Sequence, residues 1–274
     1  MESSSLTLDT LQITFLAIVQ GLTEFLPVSS SGHLLLPAML WGWPDQGLVF
    51  DVAVHLGSLV AVVWYFRRQL LALLSAWCSS LIQRRPTSQS KLAWYLLLAS
   101  IPAGVAGLLL NDWVESYGRS MRVLGSTSII FALLLLAADR LASRQMTLEQ
   151  VSWKSALLIG LAQMLALIPG TSRSGVTMTA ALALNLNRHA AAQFSFLLAI
   201  PIIAASGLIK ALDLIAAGAS TTDWLTLMYA ALVSMVVSFA CIHFFLRLIE
   251  RIGFLPFVIY RLGLGALLLF WGFS

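Results

Sequence analysis

The sequence predicts an all-α polytopic membrane protein that forms a single integral-membrane domain over residues 1–274. Of its 274 residues, 59% are hydrophobic and 10% are charged, and the mean hydropathy is strongly positive. A soluble domain of this length needs far more charge to cover its surface. The basic residues behind the net charge of +4 are scattered between apolar runs, which indicates no nucleic-acid site.

The first half of the chain begins with two apolar runs that are too short to cross a bilayer, 11–26 and 34–43. Pro27 and the turn-forming stretch 29–32 separate them. This pattern favours a re-entrant helix–loop–helix, with two irregular spans as the alternative. Three crossings are then predicted, at 50–66, 92–110 and 123–138.

Two connecting segments of this half carry charge. The basic segment Arg67–Lys91 has an apolar middle, LLALLSAWCSSLIQ, which either extends the preceding helix or lies at the membrane interface. The mixed composition of Asn111–Arg122 predicts a loop.

The second half repeats the order of the first. A run over 155–168 stops at Pro169-Gly170, the polar stretch TSRSGVT follows, and the run 176–184 is again too short to span. Three more crossings are predicted at 191–209, 225–246 and 256–273, which makes about six full spans.

The two breaks resemble each other, because LPVSSSG matches IPGTSRSG with one residue inserted. Three crossings per unit is an odd number, so the second unit must be inverted relative to the first. The sequence therefore predicts two inverted-topology repeats, about 1–145 and 150–274, with polar tips that meet near the midplane.

Basic residues predict the orientation. With Arg67–Lys91 inside, the inner connections hold 11 Lys and Arg residues and the outer ones three, namely Arg119, Arg122 and Lys210. This bias places both termini outside and the first break open to the outside. Glu2 and Asp9, with no basic region before them, predict no cleaved signal peptide.

Glu24 is the first candidate functional residue, because a carboxylate at membrane depth must face a cavity or a partner. Gln20 lies one helical turn before it on the same face. A carboxylate beside an amide oxygen suits a hard divalent cation, Mg²⁺ or Ca²⁺, that also holds substrate phosphate. The structural alternative is a capping or packing role.

Arg173 is the second candidate. It lies between Ser172 and Ser174 within an apolar region, and a guanidinium presents a fork of donors that fits phosphate oxygens. Ser29 and Ser31 supply further hydroxyls at the other tip. The alternative is a purely structural ion pair between Arg173 and Glu24.

The other polar residues give weaker signals. His33 is either an acid–base group or a hydrogen-bonded cap, and Asp51 is ambiguous. His55, His189 and His243 are interpreted as structural or interfacial, and the isolated Cys78 and Cys241 as structural or incidental.

QGLTEFLPVSSSGHL and PGTSRSGVT resemble the two signature motifs of the bacterial undecaprenyl-diphosphate phosphatase family, also called bacitracin-resistance proteins. The resemblance extends through FSFLLAIP and RIGFLPFVIYR over nearly the whole chain. It implies two inverted repeats with re-entrant pairs, and a divalent-cation-dependent removal of the terminal phosphate from undecaprenyl diphosphate at the outer face of the bacterial inner membrane. That reaction recycles the lipid carrier for peptidoglycan synthesis and confers bacitracin resistance.

By position, the resemblance assigns the family's essential acidic residue to Glu24 and its serine and histidine to Ser30 and His33. It assigns the phosphate-binding arginine to Arg173, and Ser172, Ser174 and Thr177 complete that motif. Gln20 departs from the pattern, since some members carry glutamate there.

Two questions stay open at this stage. Either Ser30 is a nucleophile activated by His33, or His33 or Glu24 activates water. The expected partners are an isoprenoid diphosphate and membrane lipids, with self-association undecided. The competing functional class is a secondary transporter or lipid flippase, because such proteins also use broken helices in inverted repeats.

Overall fold

The structure, a computed structural model, describes residues 8–117, 120–216 and 224–273. Glu2 and Arg119, which entered the predictions on targeting and orientation, lie outside the described residues. Within these ranges the protein is all-helical. Its helices are α1 Thr10–Thr23, α2 Ser30–Trp41, α3 Gly47–Tyr65, α4 Arg67–Gln83, α5 Ser88–Tyr117, α6 Met121–Leu141, α7 Trp153–Gln163, α8 Arg173–Ala183, α9 Arg188–Ala216, α10 Trp224–Ile252 and α11 Leu255–Phe273.

Six of these helices, α3, α5, α6, α9, α10 and α11, are long and apolar enough to cross a membrane. This confirms the prediction of six spans. Helix α1 and the segment Trp153–Leu167 are apolar but shorter. The chain is therefore a multi-pass membrane protein in which each set of three spans follows a pair of short helices.

Both short pairs are helix–loop–helix units, as predicted. Helix α1 begins at a capping box, in which the Asp9 carboxylate accepts from the N–H of Gln12 at 2.7 Å. After Gln163, a 3-10 turn over Met164–Leu167 precedes the second loop. In each loop one serine with positive φ turns the chain into the second helix, Ser29 (φ 75°) before α2 and Ser172 (φ 72°) before α8.

Two predictions about helix ends were wrong, and one alternative for a connecting segment is ruled out. Arg67–Gln83 does not extend α3 but is a separate helix, α4, that starts after a break at Phe66; its position at the membrane interface stays a prediction. Helix α5 continues through Tyr117, where a loop was predicted, because NDWVESY contains no Pro or Gly to end it. Ser30 and Arg173 each occupy the first turn of a helix rather than a loop.

The main core lies between the spans and the second short pair. Its largest fully buried members include Phe194, Phe196 and Phe254, and Phe25 from the first loop packs edge-on against Phe196. The first loop is thereby anchored to the helices of the second half. Whether the halves are related by inversion stays a prediction, as do the repeat limits 1–145 and 150–274.

Candidate active site

Glu24 is the centre of a buried polar cluster at the end of α1. Its Oε2 accepts hydrogen bonds from Gln20 Nε2 at 3.0 Å and from Ser30 Oγ at 2.7 Å. Its Oε1 accepts from Arg173 Nη2 at 3.2 Å. The carboxylate is only 6% exposed, so these donors replace the water that an ionised group otherwise needs.

Arg173 joins the two short helix pairs. It is the first residue of α8, and besides the Glu24 carboxylate it donates to the Glu24 carbonyl at 3.4 Å and to the Ser195 carbonyl of α9 at 3.2 Å. The two ends of the guanidinium therefore hold different elements. The sequence alternative of a Glu24–Arg173 ion pair is present in the structure, and it is part of a larger cluster.

The hydrogen-bond partners of His33 are residues outside the Glu24 cluster. Its Nδ1 lies 2.7 Å from the Ser29 carbonyl, which can only accept, so Nδ1 carries the proton. Its Nε2 lies 2.6 Å from the Tyr260 hydroxyl and in the neutral ring accepts from it. With both ring nitrogens engaged, His33 is not hydrogen-bonded to Ser30, whose proton points to Glu24.

The serines of the second motif hold the tip together. The Ser172 hydroxyl accepts from the N–H of Gly175 at 3.1 Å and so caps α8. Ser172 also lies 3.2 Å from the hydroxyl of Ser174, which donates to the Leu26 carbonyl of the first loop at 2.7 Å. The Ser174 hydroxyl therefore joins the two loops, and the Ser172 hydroxyl holds the start of α8.

The remaining hydroxyl candidates differ in their surroundings. Thr177 donates to the Arg173 carbonyl at 2.8 Å, and its hydroxyl lies 2.7 Å from the Ser195 hydroxyl. It thus contacts both Arg173 and Ser195, whose carbonyl accepts from the Arg173 guanidinium. At the first tip, the hydroxyls of Ser29 and Ser31 lie 3.5 Å apart. Ser31 is exposed and faces a cavity, so it is the candidate most accessible to a ligand.

This cavity, of about 330 Å³, lies beside the Glu24 cluster and shares His55 with it. Its polar lining comes from the first tip and from α3 and α9, and consists of Ser31, Gln46, Asp51, His55, Ser206 and Lys210. His55 connects the two, because its Nε2 lies 3.7 Å from Glu24 Oε2 while its Nδ1 donates to the Asp51 carbonyl. The interpretation of His55 as structural or interfacial missed this contact.

Arg261 is a second charged residue that the loops share, and it is fully buried. It donates to the Pro27 carbonyl of the first loop at 3.3 Å and to the Gly170 and Thr171 carbonyls of the second at 2.9 and 3.0 Å. The sequence places Arg261 within the apolar run 256–273, but it does not indicate these carbonyl partners.

The donor set around Glu24 is compatible with a hard divalent cation. Gln20 Oε1 is buried and has no hydrogen-bond partner among the described residues. Together with the Glu24 carboxylate and Ser30 Oγ, it offers oxygen ligands only. Mg²⁺ characteristically uses one or two carboxylates and completes its shell with phosphate oxygens and water.

The geometry thus gathers the key residues of both signature motifs at one place. Residues 13–267 match the family model described as bacitracin resistance protein BacA. The chain belongs to this family. It is 54% identical to the undecaprenyl-diphosphatase of Alteromonas mediterranea over 263 residues, which are 96% of this chain and 98% of that protein.

Two further relatives have the same identity. Undecaprenyl-diphosphatase 1 of Pseudoalteromonas translucida is 54% identical over 93% of this chain and 96% of its own length. The undecaprenyl-diphosphatase of Hahella chejuensis is 54% identical over 95% of this chain and 97% of its own. Nearly the whole chain is therefore shared with curated members of the bacitracin-resistance family.

Proposed function

We propose that this enzyme hydrolyses undecaprenyl diphosphate to undecaprenyl phosphate and inorganic phosphate, which recycles the lipid carrier for peptidoglycan synthesis and confers bacitracin resistance. The observation that carries the proposal is the convergence of Glu24, Ser30 and Arg173. It occurs in a chain that shares 54% of its residues with proteins named undecaprenyl-diphosphatase.

The cluster supplies what transfer of a phosphoryl group requires. Catalysis of this reaction consists mainly of positioning and of stabilising charge on the phosphoryl oxygens. Arg173 provides a planar cation beside the Glu24 carboxylate, and the Ser30 hydroxyl lies 2.7 Å from its proton acceptor, Glu24. Glu24 therefore orients the Ser30 hydroxyl. The His33 Nε2 lies instead within hydrogen-bond distance of the Tyr260 hydroxyl.

We further propose that Mg²⁺ or Ca²⁺ binds at Glu24 and Gln20. The unpartnered Gln20 Oε1 and the oxygen-only donor set support this assignment. Such a cation would neutralise the charge that develops on the phosphoryl group.

The proposed location is the bacterial inner membrane, with the cavity open to the periplasm. The basic-residue count puts the start of α3 and the end of α9 on the outer side. Asp51 and Lys210 line the cavity near these ends. A diphosphate would thus enter from the outer side, with its isoprenoid chain against the lipid-facing helices.

The test is phosphate release from purified undecaprenyl diphosphate in detergent. We expect release by the parent and a loss of about 100-fold or more in Glu24→Gln, because the change removes the charge and keeps the shape. Glu250→Gln is the control, since Glu250 is exposed and pairs with His189 on the surface. No release by the parent would favour the transporter class. A Glu24→Gln variant within about threefold of the parent, a barrier change below about 1 kcal/mol, would refute the role of Glu24.

A further inference from the structure

The imidazole of His55 is oriented by its own helix. Asp51 lies one turn before His55 in α3, so its carbonyl is within reach of the ring. The His55 Nδ1 lies 2.7 Å from this carbonyl, which can only accept, so Nδ1 carries the proton. In the neutral ring Nε2 then has a lone pair that can accept a proton or bind a cation.

The distance between His55 and Glu24 distinguishes two kinds of contact. The His55 Nε2 lies 3.7 Å from Glu24 Oε2. A charged nitrogen that is hydrogen-bonded to a carboxylate lies closer, at about 2.7–2.9 Å. Two ligand atoms that are each about 2.1 Å from one metal ion lie at most about 4.2 Å apart. The observed distance is therefore too long for a direct hydrogen bond and is compatible with joint coordination of one cation.

The surroundings of His55 also suit a metal ligand. A histidine that binds a metal almost always donates its other ring N–H to a carbonyl, a carboxylate or water, and the bond to the Asp51 carbonyl is of this kind. His55 lines the cavity, and its side chain is 31% exposed, whereas that of Glu24 is 6% exposed. An ion in the cavity can therefore reach the imidazole beside the nearly buried carboxylate.

We propose that His55 binds the divalent cation through Nε2, together with the Glu24 carboxylate and Gln20 Oε1. The inference rests on the cation site of the proposed function, and it adds a nitrogen to the oxygen donors of that site. A nitrogen ligand favours a first-row transition ion such as Mn²⁺, which also accepts carboxylate and carbonyl oxygens, over Ca²⁺, which takes oxygen ligands.

The experiment measures Mn²⁺ binding to the purified protein in detergent, without substrate, by electron paramagnetic resonance. In the parent, pulsed measurements should show coupling of the bound Mn²⁺ to an imidazole nitrogen. His55→Phe keeps an aromatic ring and removes the ligand atom, so we expect it to lose this coupling. Its Kd for Mn²⁺ should rise at least about tenfold, because even a partner of a metal ligand contributes about 10- to 100-fold in affinity.

The matched control is His189→Phe. The His189 Nδ1 lies 3.6 Å from Glu250 Oε1, so the chain has a second histidine–carboxylate pair, but its side chains are 44% and 64% exposed. We expect His189→Phe to match the parent in both nitrogen coupling and Kd. Loss of the coupling in His189→Phe, with the coupling retained in His55→Phe, would overturn the inference and assign the bound ion to the surface.

Nitrogen coupling that persists in a folded His55→Phe variant, or that is absent from the parent, would also overturn the inference. If Tm shows that His55→Phe does not fold, His55→Ala decides, with the same expected loss and the same refuting result. Phosphate release by the parent is measured separately. A parent that releases no phosphate would overturn the proposed function and leave the nitrogen coupling as it is, so the two failures are distinguishable.

Discussion

Replacing Arg173 with lysine separates a phosphate-binding role from a simple ion pair. The guanidinium uses one terminal nitrogen for the Ser195 carbonyl and the other for Glu24. Lysine keeps the charge but has a single ammonium. Its three donors lie on one nitrogen, so it cannot reach these partners from the two ends of a planar fork, and it cannot present two parallel donors to a phosphoryl group.

The expected cost follows from these contacts. A hydrogen bond from a charged donor contributes about 1.5–3 kcal/mol, and the Arg173 side chain is only 13% exposed, so solvent screens it little. Loss of one such bond in the transition state corresponds to a decrease in kcat/KM of about 10- to 150-fold. The alanine variant should lose more, because it leaves the buried Glu24 carboxylate without its cation.

The measurement is kcat/KM with undecaprenyl diphosphate for Arg173→Lys and Arg173→Ala, together with Tm in detergent. A lowered Tm with unchanged activity in the lysine variant would assign Arg173 to structure alone. Activity of that variant within about threefold of the parent would refute the argument that the planar fork grips phosphate.

Three further perturbations address other parts of the site. Gln20→Glu should keep activity at saturating cation and lower the cation concentration needed for half-maximal rate, because a second carboxylate joins the donor set; an unchanged cation titration would place Gln20 away from the metal. In a cysteine-free background, Gln83→Cys should resist an impermeant thiol reagent added to intact cells and Asp45→Cys should react; the opposite pattern would place the cavity on the cytoplasmic side. Arg261→Lys should lower Tm and activity together, because a lysine cannot replace all three carbonyl contacts. A buried hydrogen bond from a charged donor is worth about 1.5–3 kcal/mol. A Tm equal to that of the parent would contradict this expectation.

Much of the fold follows from run lengths and breaks in the sequence. Six runs are long enough to span, and the two short pairs are marked by Pro27 and Pro169-Gly170. The pairing of Glu24 with Arg173 could also be predicted from the sequence, because two opposite charges at membrane depth have few other partners. The helix limits were harder to predict, because the turns depend on backbone conformations such as the positive φ of Ser29 and Ser172, which no local pattern of polar residues indicates.

The contacts that sequence reasoning missed depend on side-chain direction between distant segments. His55 reaches Glu24 only because α3 packs against α1. Tyr260 reaches His33 across 227 positions of sequence, and no local pattern predicts such a pair.

The hydrogen bonds of Arg261 have a consequence for biosynthesis. This residue lies in α11, which follows both loops and α10 in the chain, and it donates to the backbone of both loops. A nascent chain that stops after α10 would contain both signature motifs and lack the donor that ties their loops together. Since chains emerge from their N-terminal end, we expect the loops to become fixed only after α11 has been synthesised. An enzyme that ends before Arg261 would then be inserted in the membrane and remain inactive.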